Sequence, residues 1–390
     1  MTPTTIHDHS VDQKIDFDAD EFQTNPWPIY HTLRATEPVH FATKARTFLL
    51  VKHADVAAAL ADRRLVADFP MRISRRLFGS TIMDSDGAVH RRLRQSLTPL
   101  FGSRRVRQLR TELIAPVVDQ VLDRLDGPGD VDFLREVCVP VPYGVITRLL
   151  GLPPEDVDWL RERVTVLAGA IDFPAVPLER ARAAKAELTD YLIEKMSRRS
   201  PLMDLLIRNG GEPTDPDVLS SVILFLLAGT ETSVATIGTI MHTLLAQDVR
   251  MEALLDSEFR AAAVWETLRL EPPTHSILRY AATDLDIRGV RISRHSAVLL
   301  SLASGNRDAD VFAEADAWKP NRPQRKTLTF GAGPHTCIGI HLALAEFDVL
   351  LERLVTRYQN IRHSGSPAGL RGHGFRGPER LVLTWGSRDA

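Results

Sequence analysis

Phe330-Gly331-Ala332-Gly333-Pro334-His335-Thr336-Cys337-Ile338-Gly339 decides the fold, because it surrounds one cysteine with glycines and runs straight into a helical pattern. Gly331, Gly333 and Gly339 permit close approaches that a Cβ forbids, so the chain can curl around Cys337 and press against a flat group. From Ile338 to Leu351 the apolar residues Leu342, Ala345 and Val349 suit a helix starting at or just after the cysteine. Free amides and the positive end of that helix favour an anionic sulfur over the thiol. A thiolate presented in this way is an axial ligand for haem iron, and thiolate ligation favours O–O cleavage. An isolated cysteine is ordinarily a small buried hydrophobe, and it is the frame around Cys337 that sets it apart.

Working outward, the chain has 390 residues, 44% hydrophobic and 25% charged, which is the composition of an ordinary globular protein. Its formal net charge of -2 gives no sign of nucleic acid as a partner. The two cysteines, Cys138 and Cys337, suit a reducing compartment, and a disulfide between them would remove the thiolate. Cys138 lies in the apolar run Val137 to Val141 and reads as core. The N-terminus carries neither a basic patch nor a long apolar run, so no signal peptide or membrane anchor is expected and the protein is expected in the cytoplasm. Residues 1 to about 15 read as disordered on composition, leaving 16–390 as a single domain.

Helical periodicity dominates: Val51 to Leu60, His90 to Leu97, Arg104 to Leu125, Val145 to Leu150, Glu179 to Arg198 and Asp217 to Ala246. The last is apolar through Ile223, Leu224, Leu226, Leu227, Ile237, Ile240 and Leu244, which marks a central buried helix. Strand patterns are fewer: Val39 to Phe41, Phe48 to Val51, Leu285 to Ile292, Ala297 to Leu302 and Leu381 to Trp385. Stretches rich in Pro and Gly around Pro70, Pro174, Pro213 and Gly365 to Gly377 read as loops. The fold class is mainly α with a small β region, an α+β chain.

Three further constellations stand out. Inside the long helix, Ala228, Gly229, Thr230, Glu231, Thr232 and Ser233 interrupt the apolar run, and a mid-helix glycine costs about 1 kcal/mol relative to alanine. Close approach of a flat ligand explains Gly229; a helix kink in which Thr232 bonds back to the Ala228 carbonyl is the plainer alternative. A buried carboxylate at Glu231 is costly unless it is hydrogen-bonded or functional. Glu266 and Arg269 lie three apart on one helix face, which taken alone is usually a solvated pair. His90 and Arg94 lie four apart on another face, and Arg279 follows Arg269 by ten residues.

The order FGxGxHxCxG, continued as Leu342, Ala343 and Glu346, resembles the haem-binding loop of the cytochrome P450 family. Glu266-Thr267-Leu268-Arg269, followed by Pro272 and Pro273, resembles the ExxR helix of that family, with Arg322 from Trp318 to Arg322 expected to join the pair. The resemblance runs from about Phe22 to Trp385. It implies a P450-type domain with a long central helix over haem b (iron protoporphyrin IX), with dioxygen as co-substrate and Cys337 as metal ligand. It further implies that Thr232 and Glu231 are catalytic, Thr232 stabilising dioxygen and Glu231 assisting proton delivery. His90, Arg94, Arg279 and His335 become partners of the haem propionates, with Arg94 and His335 ahead of the other two, and Gly229 and Phe330 approach the haem. Two departures concern the loop: Ala332 and Pro334 stand where the family varies, and Leu344 replaces a commonly basic residue. The connection Gln247 to Ala263 is short for the family.

No glycine-rich fingerprint for a flavin or nicotinamide is present, so electrons from NAD(P)H are expected through redox partners, a ferredoxin and a ferredoxin reductase. Arg91, Arg92, Arg104, Arg105, Arg107 and Arg110 form a basic cluster that is either a solvated face or a complement to an acidic ferredoxin. By resemblance the pocket draws on Phe69, Met71, Leu77, Phe78, Ile171, Phe173, Leu224, Ala228, Ile277 and Phe375, which suits a medium-sized, partly hydrophobic small molecule. Arg72, Arg75, Arg76 and Arg376 either meet an acidic group or sit on the surface, the latter being the plainer reading. The expected function is monooxygenation of a small organic substrate in secondary metabolism by a monomer without membrane or nucleic-acid partners. The alternatives are a biosynthetic oxidase forming C–C, C–N or C=C bonds, and a non-catalytic haem sensor or carrier.

Overall fold

The computed structural model describes residues 15–125, 129–171, 176–195, 215–323 and 327–387. The expected loops at Pro174 and Pro213, the end of the helix at 196–198, Phe173 and the tail before residue 15 lie outside these. Ile15, which the sequence places in the tail, is only 1% exposed, packed with Phe17, Phe22 and Tyr30, so order reaches at least that far.

The helices are α1 (Asp20–Thr24), α2 (Trp27–Thr36), α3 (His53–Ala61), α4 (Ile73–Phe78), α5 (Gly87–Phe101), α6 (Ser103–Leu109), α7 (Ala115–Leu122), α8 (Pro140–Leu150), α9 (Val157–Ile171), α10 (Leu178–Lys195), α11 (Pro216–Ala246), α12 (Ser257–Leu270), α13 (Leu302–Gly305) and α14 (Ile340–Arg357). Around α11, the helices α4–α10, α12 and α14 form the main core, with Tyr143, Ile223, Leu226, Ile240, Leu350 and Leu354 among its buried members. α11 starts at Pro216, where a missing N–H costs nothing, and its 31 residues extend about 46 Å at 1.5 Å per residue. It alone among the described helices is long and apolar enough to cross a membrane, but 72% of its most apolar window is buried inside the protein, so it is a core helix.

The sheet lies to one side. Its strands run β1 (Val39–Ala42), β2 (Thr47–Leu50), β8 (Ala297–Ser301), β5 (Ser276–Ala281) and β3 (Leu65–Val66), antiparallel except for β2 beside β8. A smaller sheet orders β4 (Gly129–Asp132), β12 (Val382–Ser387) and β9 (Tyr358–His363).

Two expectations are corrected locally. Leu285 to Ile292 is not one strand but a hairpin of β6 (Leu285–Ile287) and β7 (Val290–Ile292), because Arg288 and Gly289 take φ of 53° and 78° and reverse the chain. Arg104 to Leu125 is not one regular helix, for a π-turn at Arg110–Ile114 divides α6 from α7. Pro116 has no N–H for the Glu112 carbonyl four residues back, so the ladder widens there; Pro140 follows the π-turn Leu134–Cys138 for the same reason.

The Glu266–Arg269 pair is a buried junction, not a solvated contact. Arg269 Nε and Nη2 donate to Glu266 Oε2 and Oε1 at 2.9 and 2.7 Å, and Arg322 Nε reaches Oε1 at 2.8 Å. The remaining Arg269 donors go to the carbonyls of Asn306, Ala315 and Ala317 at 2.8, 2.6 and 3.0 Å. Burial works to raise the Glu266 carboxyl, yet Arg269, Arg322 and the Lys319 amide outweigh it and hold it below its ordinary 4.5. A carboxyl depressed on folding adds stability above its unfolded value and loses it as pH falls through the folded one. Acid should therefore weaken the fold below about pH 4.5, and Glu266→Gln should flatten that dependence in urea melts. Arg269→Ala, which strands Glu266, should cost about 3–5 kcal/mol in the same melts.

Candidate active site

The chain from Leu328 to Gly339 is shaped before it meets a ligand. Asn306, fully buried, accepts from the Leu328 amide at 2.6 Å, and Thr329 Oγ1 donates to the Leu268 carbonyl at 2.6 Å. Gly331 and Gly333 both take φ of 69°, and a Cβ on Gly333 would come within 2.7 Å of the Leu60 carbonyl of α3. The Cys337 amide then closes the loop onto the Phe330 carbonyl at 2.8 Å. Gly339 needs no left-handed backbone; it is the N-cap of α14, which begins at Ile340. Phe330 is held edge-on by Trp265, centroids 5.5 Å apart.

Cys337 opens onto a cavity of about 720 Å³ and is exposed only in that sense, since protein surrounds it. Burial pushes its thiol up, while the Gly339 and Ile340 amides and the Arg94 charge pull it down. The amides at the start of α14 therefore act as the sequence predicts, but in the protein alone they do not overcome desolvation.

The opposite wall is α11. Ala228 is exposed and Gly229 half-buried on a helix otherwise packed on nearly every side, because both face the cavity with Thr232 and Ser233. Gly229 has a second reason to lack a side chain, as a Cβ would press to 3.3 Å from Ile146 of α8. Thr232 Oγ1 donates to the Ala228 carbonyl at 2.8 Å, the back-bond of the plainer alternative, and α11 runs on through it without a kink to end it. Glu231 does not line the cavity. Its Oε1 accepts from the Tyr143 hydroxyl at 3.0 Å, and burial raises its carboxyl despite that bond.

Along one edge stand His90 and Arg94 of α5, Arg279 of β5, and His335. His90 is 2% exposed, its Nε2 has no partner, and its ring lies tilted by 40° against that of His335 with centroids 4.0 Å apart. Burial, then the charges of His335 and Arg94, lowers it to about 4. Arg279 is buried, bonded through Nη1 to the Leu278 carbonyl, and lowered to about 10, chiefly by burial. No carboxylate pairs with Arg94 or Arg279 among the described residues, whereas His335 Nε2 lies 3.1 Å from Asp86 Oδ1. His90 and Arg279 are thus the most deeply buried of the four, while His335 is the one already paired with a carboxylate. A cationic edge holding an unpaired imidazole nitrogen fits two carboxylates, and the cavity of about 720 Å³ between α11 and Cys337 has room for a macrocycle. The residues present therefore fit haem.

Asp86, which carries no motif, ties this edge together. Besides His335, its Oδ2 accepts from the amides of Ala67 and Asp68 at 2.7 Å each. Burial opposes ionisation of Asp86, but these donors hold it at about 2.

Of the expected pocket, Met71, Ile171, Leu224, Ala228, Ile277 and Phe375 line the cavity. Leu77 and Phe78 belong to the core instead, and Phe69 stacks on Tyr280 at 4.0 Å. Ile82, Met83, Phe101 and Phe225 complete the apolar wall; only the cavity, with no periodic signal, reveals them. Arg376 is not at the surface: 3% exposed, it pairs with Glu271 at 3.0 Å. Arg75 pairs with Asp68 at 2.9 Å, and Arg72, on the cavity wall, with buried Asp84 at 3.3 Å.

A cysteine loop facing a continuous, mostly apolar helix across a cavity, with a cationic edge, defines a haem-thiolate protein. The model of the family Cytochrome P450 matches residues 178–368. Nocardicin C N-oxygenase from Nocardia uniformis subsp. tsuyamanensis is 31% identical over 92% of this chain and 95% of its own length. The 20-oxo-5-O-mycaminosyltylactone 23-monooxygenase of Streptomyces fradiae is 32% identical over 88% and 84%. The solved structure of CxnD, a cytochrome P450 for C–S bond formation in chuangxinmycin biosynthesis, matches with a TM-score of 0.85 at 28% identity, covering 96% of this chain and 98% of that one. The chain belongs to the cytochrome P450 family and is a haem-dependent monooxygenase, an oxidoreductase that uses dioxygen.

Two spectroscopic outcomes follow. Cys337→Ser should remove the red-shifted ferrous carbon monoxide band that thiolate ligation produces, checked by difference spectrum. Arg279→Leu should weaken haem retention about tenfold in transfer to apomyoglobin, since a charged donor at the cationic edge of the cavity is lost.

Proposed function

We propose that this enzyme oxidises a medium-sized, mainly apolar intermediate of secondary metabolism, with electrons passed from NAD(P)H through a ferredoxin reductase and a ferredoxin in the cytoplasm. The observation that carries the substrate class is the cavity wall, where Met71, Ile82, Met83, Ile171, Leu224 and Phe375 offer apolar surface. The biosynthetic relatives named above support the same class. Bound haem supplies the redox iron at which dioxygen is activated. Cys337 would hold it from below, with His90, Arg94, Arg279 and His335 toward the propionates.

Thr232 takes the distal role. Its proton is committed to the Ala228 carbonyl at 2.8 Å, so toward the cavity the hydroxyl acts as an acceptor that orients a donor beside it. Glu231, adjacent on α11 and raised by burial, is suited to hold a proton and to deliver it on that side. The apolar wall excludes water that would otherwise supply protons at random.

A second reading, coupling of bonds without oxygen insertion, is favoured by the likeness to CxnD and uses the same residues. Assay of products with ferredoxin, reductase and NADPH over a substrate panel, in labelled dioxygen, separates the two. Haem binding with no oxidation under any electron supply would instead favour a sensor or carrier.

The basic cluster is smaller than the sequence implies. Arg105 pairs with Glu112 at 2.8 Å and Arg110 with Asp348, whereas Arg91, Arg92, Arg104 and Arg107 are exposed. Reversing Arg104 and Arg107 to glutamate should slow ferredoxin-driven reduction in a salt-dependent way, read by stopped flow; an unchanged rate at low salt refutes this docking face. Thr232→Ala should divert reducing equivalents into peroxide and lower product per NADPH about tenfold.

A further inference from the structure

Glu231 is one residue from the cavity wall, yet its carboxylate faces the junction of three helices. α8 and α9 both pack on α11 there. From α8 comes Tyr143, fully buried, whose hydroxyl donates to Glu231 Oε1 at 3.0 Å. From α9 comes Arg161, half-buried, whose charge acts on both Glu231 and Tyr143. Among the described residues, these are the titratable and charged groups that act on the carboxylate.

A tyrosine ring needs no polar partner to fill a core, and phenylalanine would fill it equally. The hydroxyl at this place is explained by the acceptor it meets. A buried phenol whose pKa is raised by burial and by Glu231 stays protonated, so it acts as a donor. The bond it makes holds the carboxylate off the cavity wall, where the charge of half-buried Arg161 also acts on it.

We propose that Tyr143 is the positioning residue of the distal acid, holding Glu231 on the α8–α9 side of α11 so that it is charged with a proton from the Arg161 side and delivers it toward Thr232 when the Tyr143 bond opens. The balance is simple: a hydronium ion on the solvent side gives its proton to the carboxylate and leaves as water, and the carboxyl O–H then passes the proton to a water bonded to the Thr232 hydroxyl on the cavity side, restoring the carboxylate. The proposal rests on the reading of Glu231 as the distal proton carrier.

The test uses ferric holoenzyme and pH-difference infrared spectroscopy, with the protonated carboxyl band of Glu231 assigned by its loss in Glu231→Gln. Tyr143→Phe keeps the ring and removes a hydrogen bond that favours the carboxylate, so the titration should move upward. Turnover should fall about tenfold with KM nearly unchanged, less than the roughly 10²-fold or greater loss of a general acid itself. Arg161→Gln, at a half-buried site, should move the same titration upward by removing a positive charge, and it stands in if Tyr143→Phe does not fold. An unmoved titration in whichever of these variants folds overturns the proposal and leaves Tyr143 a packing pin. Wild-type turnover and coupling in Glu231→Gln would refute the underlying reading of Glu231 instead.

Discussion

The buried guanidinium of Arg269 has five N–H donors to satisfy, and the neighbourhood of the cysteine loop is organised around satisfying them. Glu266 takes two, and the carbonyls of Asn306, Ala315 and Ala317 take the rest. Those carbonyls can meet one guanidinium only if the segment 306–317 is folded back over α12. That segment carries Asn306, which accepts from the Leu328 amide at the entrance to the loop. An internal ion pair is weak evidence for stability in itself, because desolvation offsets its attraction. Here its effect is directional: it fixes the path of the chain that presents Cys337.

Across the cavity the constraint is of the opposite kind. Arg94 and Arg279 are gathered beside the neutral imidazole of His90 with little counter-charge, and burial lowers all three. Such an edge costs free energy in the protein alone and is stabilised by anions of matching geometry. Stability of the apoprotein and affinity for the cofactor are thereby linked, since what binds only the folded state stabilises it. Asp86 moderates the cost by fixing His335 and the 67–68 backbone together.

Much of the fold was legible in sequence where the signal is local and repeated. The apolar run of α11, the helix around His90 and the strands at Val39 and Ala297 all appear near their expected limits. The misreadings have equally local causes. The two left-handed residues Arg288 and Gly289 split a run that alternation alone reads as one strand. Pro116 widens a helix whose apolar period continues past it. Arg376 resembled a surface arginine because nothing near it in sequence announces Glu271, 105 residues away.

The sequence by itself determined the chemistry. Close spacing brings Cys337 among its glycines, Glu266 to Arg269 and His90 to Arg94, whatever the rest of the chain does, because a loop or one helix turn suffices. Tertiary structure alone decided what those groups meet. Tyr143 reaches Glu231 across 88 residues and Asp86 reaches His335 across 249, while Gly229 is pressed by Ile146 of another helix. A helical period states which face is apolar; only packing, which must pair every buried polar atom and fill every gap, states which distant face it finds.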